Sequence, residues 1–339
     1  MHRLTRSFNA VAVVIAVGAL TAASLAGQAP ARAAGKNAAP RTSDGKPDLQ
    51  GVWDFRTITS MERPKELAGK DVLTDQEAAK WEREHQLNQD DRTATPTGAT
   101  SNGTPTTLDV ERAYNDFWWD FGKKIVGTRR TSLIVDPPDG RIPALTEAAK
   151  QRAATRMQRY QRTAVGPEDR GVGERCILGF NSGPPMAPSA YNNNVQIFQT
   201  PDTVVVLNEM VHNARMIPLD GRPHLSQAVR QWVGDSRGRW EGDTLVVETS
   251  NFLGETAFFN SSSTFRLTER FKRLDADTLL YEFTANDPNT WTTPWTAQVP
   301  MARSTSHLYE YACHEGNYGM TNLLSAARAV DRAQATASK

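Results

Sequence analysis

Along the second half of the chain, apolar and polar residues alternate in short runs. The stretches "VQIFQT" (195–200), "TVVVLNEMVHNARMIPLD" (203–220), "RQWVGD" (230–235), "DTLVVETSNF" (243–252), "FRLTERFKRLD" (265–275), "TLLYEFTA" (278–285), "WTAQVPMAR" (295–303) and "HLYEYACHE" (307–315) share this pattern. A period of two puts alternate side chains on opposite faces of a strand. Gly, Asp, Asn and Pro clusters separate the runs, at the roughly 8–12 residue spacing of an antiparallel meander. No helix of crossover length lies between them, which argues against parallel βαβ units. A meander of about eight strands removes its exposed edges by closing on itself. The pattern therefore predicts a mainly β protein, an antiparallel meander closed into a lipocalin-like β-barrel.

Upstream the periodicity changes. "PDLQGVWDF" (47–55) reads as a first strand with Trp53 and Phe55 on one face. Thr74 and Glu77 form a T-x-x-E capping box, predicting a helix over 77–89. Residues 91–107 are rich in Thr, Pro, Gly and Asn and read as an irregular excursion, followed by the aromatic cluster "YNDFWWDFG" (114–122). Residues 129–145 read as a strand, a Pro-Pro-Asp-Gly turn and a returning strand. Thr146 opens a second helix to about residue 162, and 171–188 is a Gly- and Pro-rich loop. Residues 317–333 form a closing helix with Met320, Leu323, Leu324 and Ala327 on one face. The barrel domain is expected over 47–332, with its helical and loop excursion at about 56–190 and a disordered tail at 333–339.

The N-terminus has another character. Arg3 and Arg6 precede an apolar stretch, and Ala31-Arg32-Ala33 supplies an A-x-A cleavage site. Residues 1–33 are expected to be a secretory signal peptide and 34–46 a polar linker, placing the mature protein in the periplasm or outside the cell. Cleavage removes three of 39 basic residues and none of 38 acidic ones, so the balance turns slightly negative. That excludes an electrostatic case for nucleic acid or an anionic membrane as partner. No later apolar run is long enough to span a bilayer. With export, the two cysteines, Cys176 and Cys313, are expected to form a disulfide; two buried thiols are the alternative.

The alternation also locates candidate chemistry. Phe265, Leu267, Glu269 and Phe271 share one face, so Glu269 sits among apolar neighbours. A carboxyl there is either paired with a buried Arg or His or has a raised pKa. In "LNEMVHNAR" (207–215), Asn208, Met210 and His212 face one way, and Glu209, Val211, Asn213 and Arg215 the other. His212 suits general acid or base work, and Glu209 is expected to pair with Arg215. His314 and Glu315 stand beside Cys313 at an expected strand end. Glu269, His212 and His314 are thus catalytic candidates. Asn208, Asn213, Arg215, Trp232, Tyr281 and Glu315 are ligand-binding candidates. No H-x-H or H-E-x-x-H spacing, P-loop or G-x-G-x-x-G occurs, so neither a metal nor a cofactor is expected.

Gly234-Asp235-Ser236-Arg237-Gly238 is a formal G-x-S-x-G. A nucleophile elbow needs a strand before the serine and a helix after it. Here a second strand follows, with the turn placed at 237–243.

This region resembles a large family of exported bacterial proteins, mostly uncharacterised. The shared residues are Gly234, Ser236 and Gly238, then Trp240-Glu241-Gly242-Asp243-Thr244-Leu245-Val246-Val247-Glu248-Thr249, with "GRPH" (221–224) before and "LTERF" (267–271) after. The resemblance covers roughly 201–283. It implies an exported, barrel-like β protein and carries no established reaction. Together these observations predict a protein that takes up a small, partly apolar molecule. They allow cofactor-free lyase, isomerase or hydrolase chemistry in which Glu269 and His212 exchange protons and Arg215 or Asn213 holds an oxyanion. A non-catalytic binding protein and a serine hydrolase using Ser236 are the alternatives.

Overall fold

Gly242 and Asp243 form a two-residue turn between β6 (Asp235–Glu241) and β7 (Thr244–Ser250). Gly242 has φ +58°, as a primed hairpin turn with glycine first requires. Ser236, Arg237 and Gly238 therefore lie within a strand, and the reversal occurs later than the expected 237–243 turn. The pairing continues in sequence through β8 (Arg266–Arg273), β9 (Thr278–Asn286) and β10 (Trp295–Ser304). A second antiparallel run joins β3 (Asn194–Gln199), β4 (Thr203–Asn208) and β5 (Ala214–Pro218). The early strand β1 (Gly51–Asp54) unites the two runs by pairing with β3 on one side and β10 on the other. A short β2 (Ile134–Asp136) also pairs with β10. The result is one ten-stranded antiparallel sheet ordered β5-β4-β3-β1-β10-β9-β8-β7-β6, with β2 off that path.

This computed structural model describes residues 39–94, 120, 122–254 and 258–337. The expected leader, most of the irregular excursion and most of the aromatic cluster lie outside the described residues. The described residues belong to one compact unit.

Alternation along the strands builds the core. Leu267 and Phe271 of β8, Tyr281 and Phe283 of β9, and Trp295 and Val299 of β10 are buried in one core, joined by Trp53 of β1 and by Phe55 just after it. Each such side chain contributes on the order of 1.5–3 kcal/mol of burial.

Hydrogen-bonded closure into a barrel is not formed, because β5 and β6 remain the two edges. They nevertheless approach closely. A Cβ on Gly238 of β6 would lie 2.8 Å from Ile217 Cγ2 of β5 and 2.5 Å from Leu219 Cδ2.

Several predicted strands are absent. Residues 230–235 contribute only a parallel bridge, Gln231 to Phe252, and the first residue of β6. The buried Asp235 carboxylate accepts from Leu225 N and Arg237 Nη1 and contacts His224 Nδ1, folding the preceding segment back on itself. Residues 307–315 form no strand. The expected strand 203–220 breaks at a 3-10 turn, Met210–His212. The strand expected to return after 137–140 is reduced to a bridge between Leu145 and Trp291.

The described residues contain three α-helices. In α1 (Asp75–Ala94), Thr74 N donates to Glu77 Oε2 at 2.9 Å and Glu77 N to Thr74 Oγ1 at 3.3 Å, completing the predicted capping box. Helix α2 (Glu147–Gln161) is capped by Thr146, which accepts from Ala149 N at 3.2 Å. Helix α3 (Tyr318–Ala337) buries Ala327 and half-buries Met320, Leu323 and Leu324. It runs through 333–337, so the expected disordered tail is helical there. The described part of the expected linker is also fastened: Arg41 Nη2 meets Asp243 Oδ2 at 2.6 Å, and Lys46 lies 5.8 Å from the Trp240 ring centre.

Candidate functional site

The sequence-predicted residues fall into two groups. The first is inside the sheet. Glu269, on the apolar face of β8 as its alternation requires, is fully buried and pairs with Arg215 of β5. Arg215 Nη1 lies 2.5 Å from Oε2 and Nη2 lies 2.8 Å from Oε1. Tyr281 of β9 donates to Oε1 at 2.9 Å, and Tyr281 Oη accepts from Met186 N at 3.2 Å. Burial lowers the proton affinity of Arg215, but the Glu269 charge and hydrogen bonds more than restore it, so the guanidinium stays charged. Burial first, and the neighbouring carboxylate second, push the Tyr281 phenol well above its ordinary range.

This bidentate pair spans strands near opposite ends of the sheet, where no backbone ladder connects β5 to β6. Every oxygen of Glu269 is occupied. The expected Glu209–Arg215 pair is replaced by this one, and Glu209 instead accepts from Asn194 Nδ2 at 2.8 Å. The expected proton exchange between Glu269 and His212 has no geometric basis: His212 is exposed and engages a different partner. Arg215, committed to Glu269, is not available as an oxyanion holder. Asn208 is buried at the end of β4, and its Oδ1 has no partner among the described residues.

The second group surrounds a cleft of about 650 Å³. Segments far apart in sequence meet there. The β4–β5 connection brings His212 and Asn213, the segment before β6 brings Trp232 and Arg230, and the segment after β10 brings Tyr311, His314 and Glu315. The predicted disulfide Cys176–Cys313 forms and lines the same cleft, with Cα atoms 5.6 Å apart across 137 residues of sequence. It pins the 310–315 segment to the 171–188 loop. Asn317 Nδ2 adds a bond to Glu174 O at 2.8 Å. Backbone pairing of Gln231 with Asn251 and Leu253 holds the Trp232 wall in place. Ile177, Leu178 and Val233 supply apolar surface between the polar groups.

His212 enters the cleft through unusual backbone. Val211 and His212 have φ +59° and +49°, and Cys176 has φ +55°. A β-branched residue in this region is a conformational outlier, and such strain concentrates at functional sites. His212 Nδ1 accepts from Tyr311 N at 3.1 Å, so its neutral imidazole carries the proton on Nε2. Tyr311 also stacks with Tyr191 at 6.2 Å between ring centres. Burial, aided by the hydrogen bond to Tyr311, pushes the Tyr191 phenol up to about 12. The cleft thus holds two imidazoles and the carboxylates of Glu310 and Glu315 over a partly apolar wall.

Arg230, Tyr311 and Leu178 were not singled out by the sequence. For Tyr311, nearness to Cys313 was the available signal; Arg230 and Leu178 had none. Among the described residues no cluster of His, Cys, Asp and Glu could hold a metal ion. Ser236 is buried in β6, with its hydroxyl 2.9 Å from Thr249 Oγ1 across the hairpin. It is the second residue of β6, with a turn at 232–233 before it and strand after it, so neither the preceding strand nor the following helix of an elbow is present. Comparison of the chain with protein-family models, curated proteins and solved structures returned no match.

Proposed function

We propose that this protein binds a small, partly apolar molecule in the disulfide-braced cleft. The observation that carries this reading is convergence: His212, Asn213, Trp232, His314 and Glu315, chosen from three separate stretches of sequence, line one concavity. Ligand sites are typically concave and partly apolar, with a few convergent polar groups. We read the curled sheet as an incompletely closed, lipocalin-like barrel that carries the cleft on its loops, and the protein as exported through residues 1–33. The formed disulfide is consistent with an oxidising compartment. Any proton transfer falls to His212, His314 and Glu315, in cofactor-free lyase, isomerase or hydrolase chemistry. Glu269 and Arg215 hold the scaffold.

Calorimetric titration with a fragment set, followed by turnover assays on bound fragments, tests the reading. Trp232→Ala is expected to weaken binding about tenfold or more, the cost of losing a large buried aromatic contact. His212→Ala and His314→Ala are expected to abolish turnover while affinity changes by less than about threefold. Unchanged affinity in Trp232→Ala would move the site elsewhere. Loss of affinity alone in the histidine variants would make this a binding protein without chemistry.

A further inference from the structure

The cleft does not end at Trp232. Trp232 and Leu178 also line a neighbouring hollow of about 410 Å³. Its walls include Phe180, Phe252, Phe258 and Phe259, beside Pro184 and Pro185. Two of these rings belong to the core: Phe252 lies 5.0 Å from Phe265 between ring centres, and Phe258 stacks on Trp295 at 5.7 Å. The other two stand open, Phe180 at 56% and Phe259 at 47% exposure. A single exposed apolar side chain is ordinary, whereas open rings grouped around a concavity mark a binding surface. The loop carrying Phe180 is held on both sides of it. Asn181 Nδ2 donates to Tyr191 O at 2.9 Å, Met186 N donates to Tyr281 Oη at 3.2 Å, and the disulfide fixes Cys176. Phe180 itself meets Tyr191 edge-on at 5.2 Å.

The two compartments differ in chemistry. Among the described residues that line the hollow, none carries a charge. The adjoining cleft has His212, His314, Glu310 and Glu315. His212 keeps Nε2–H as a donor there, because Nδ1 is taken by Tyr311 N. Trp232 stands at the junction, lining both.

We infer that the ligand is a neutral aryl compound, with its ring in the phenylalanine-lined hollow and a carbonyl or amide end among the polar groups of the cleft. This rests on the cleft being a small-molecule site and names the class of molecule it takes. A ring offers its edge and face to the walls and gains beyond its buried area. A charged group in the same place would be stripped of water without an ionic partner. The amide end matches an imidazole N–H with its carbonyl and a carboxylate with its own N–H groups.

Titration of the full chain with hexanamide, and with hexanamides ending in phenyl, cyclohexyl or trimethylammonium, tests it. The phenyl compound is expected to bind about tenfold or more tighter than plain hexanamide. It is also expected to bind about two- to tenfold tighter than the cyclohexyl compound. The trimethylammonium compound should gain nothing over hexanamide. Phe180→Ala is expected to weaken the phenyl compound and leave hexanamide unchanged. Phe180→Leu, which keeps apolar area, is expected to erase the preference for phenyl over cyclohexyl. Equal affinity for phenyl and cyclohexyl in the unaltered protein would overturn the inference without relying on any variant. So would tightest binding of the ammonium, which would make the hollow a cation cage. If these amides shift the NMR signals of His212 and His314 but the ring adds no affinity, only the ligand class is wrong. If none of them shifts those signals, the reading of the cleft fails as well.

Discussion

Glu269 shows how far one residue's surroundings decide its role. Period two places it on the apolar face, and a carboxylate there must find a cation or lose its charge. It finds Arg215 in a bidentate pair and Tyr281 as a third contact. Replacing Glu269 with Gln leaves the Arg215 charge buried and uncompensated, so destabilisation of about 3–5 kcal/mol is expected by urea unfolding. Ligand affinity measured below the unfolding transition should be unchanged. A variant of full stability that has lost affinity would return Glu269 to the site. The burial of Glu269 and its need for a partner were legible in the sequence, because one strand's alternation suffices. Its partner was not: Arg215 lies 54 residues away, and only the curl of the sheet brings β5 over β8. Glu209, nearer in sequence to Arg215, was the natural local choice and was wrong for that reason.

At the level of elements, strands with strict alternation were legible and those mixing polar groups on both faces were not. Strands β7 through β10 form where expected because each has an apolar face. "RQWVGD" and "HLYEYACHE" form no such strands: local carboxylate contacts at Asp235 fold the segment before the first back on itself, and the second leaves the sheet after β10. Residues 207–215 fail as a continuous strand because Val211 and His212 take left-handed backbone. That same break is what delivers His212 to the cleft. The disulfide is the main brace of this region. By loop-entropy arithmetic, a bridge across 137 residues contributes about 4–5 kcal/mol. Cys176→Ser with Cys313→Ser is expected to lower stability by that order and to weaken ligand binding more than any remote substitution of equal cost. Hydrogen exchange should then rise first at 310–315 and 171–178. Uniform acceleration across the sheet would show that the bridge stabilises the whole fold without shaping the cleft.

For the whole molecule, the decisive feature is a curled sheet whose edges come together without a ladder. The mainly β, antiparallel character was legible from spacing, but the order of strands was not. β1 is separated from both of its partners by long excursions, and no periodicity reveals that it sits between β3 and β10. Gly238 reports on the edge approach, because β5 side chains occupy the space a Cβ would need. Gly238→Ala is expected to cost about 1–3 kcal/mol through overpacking, measured by thermal and urea unfolding. A neutral effect would mean that β5 and β6 stand further apart in solution.

The central claim is that the loops of this scaffold form one small-molecule site. It is tested most directly by titrating the isotopically labelled protein with the fragment set and following backbone and indole NMR signals. The predicted result is a contiguous set of shifts at Val211, His212, Trp232, Ala312 and His314, with Glu269 and Tyr281 unmoved. Shifts absent from those residues, or confined to another face of the sheet, would contradict it.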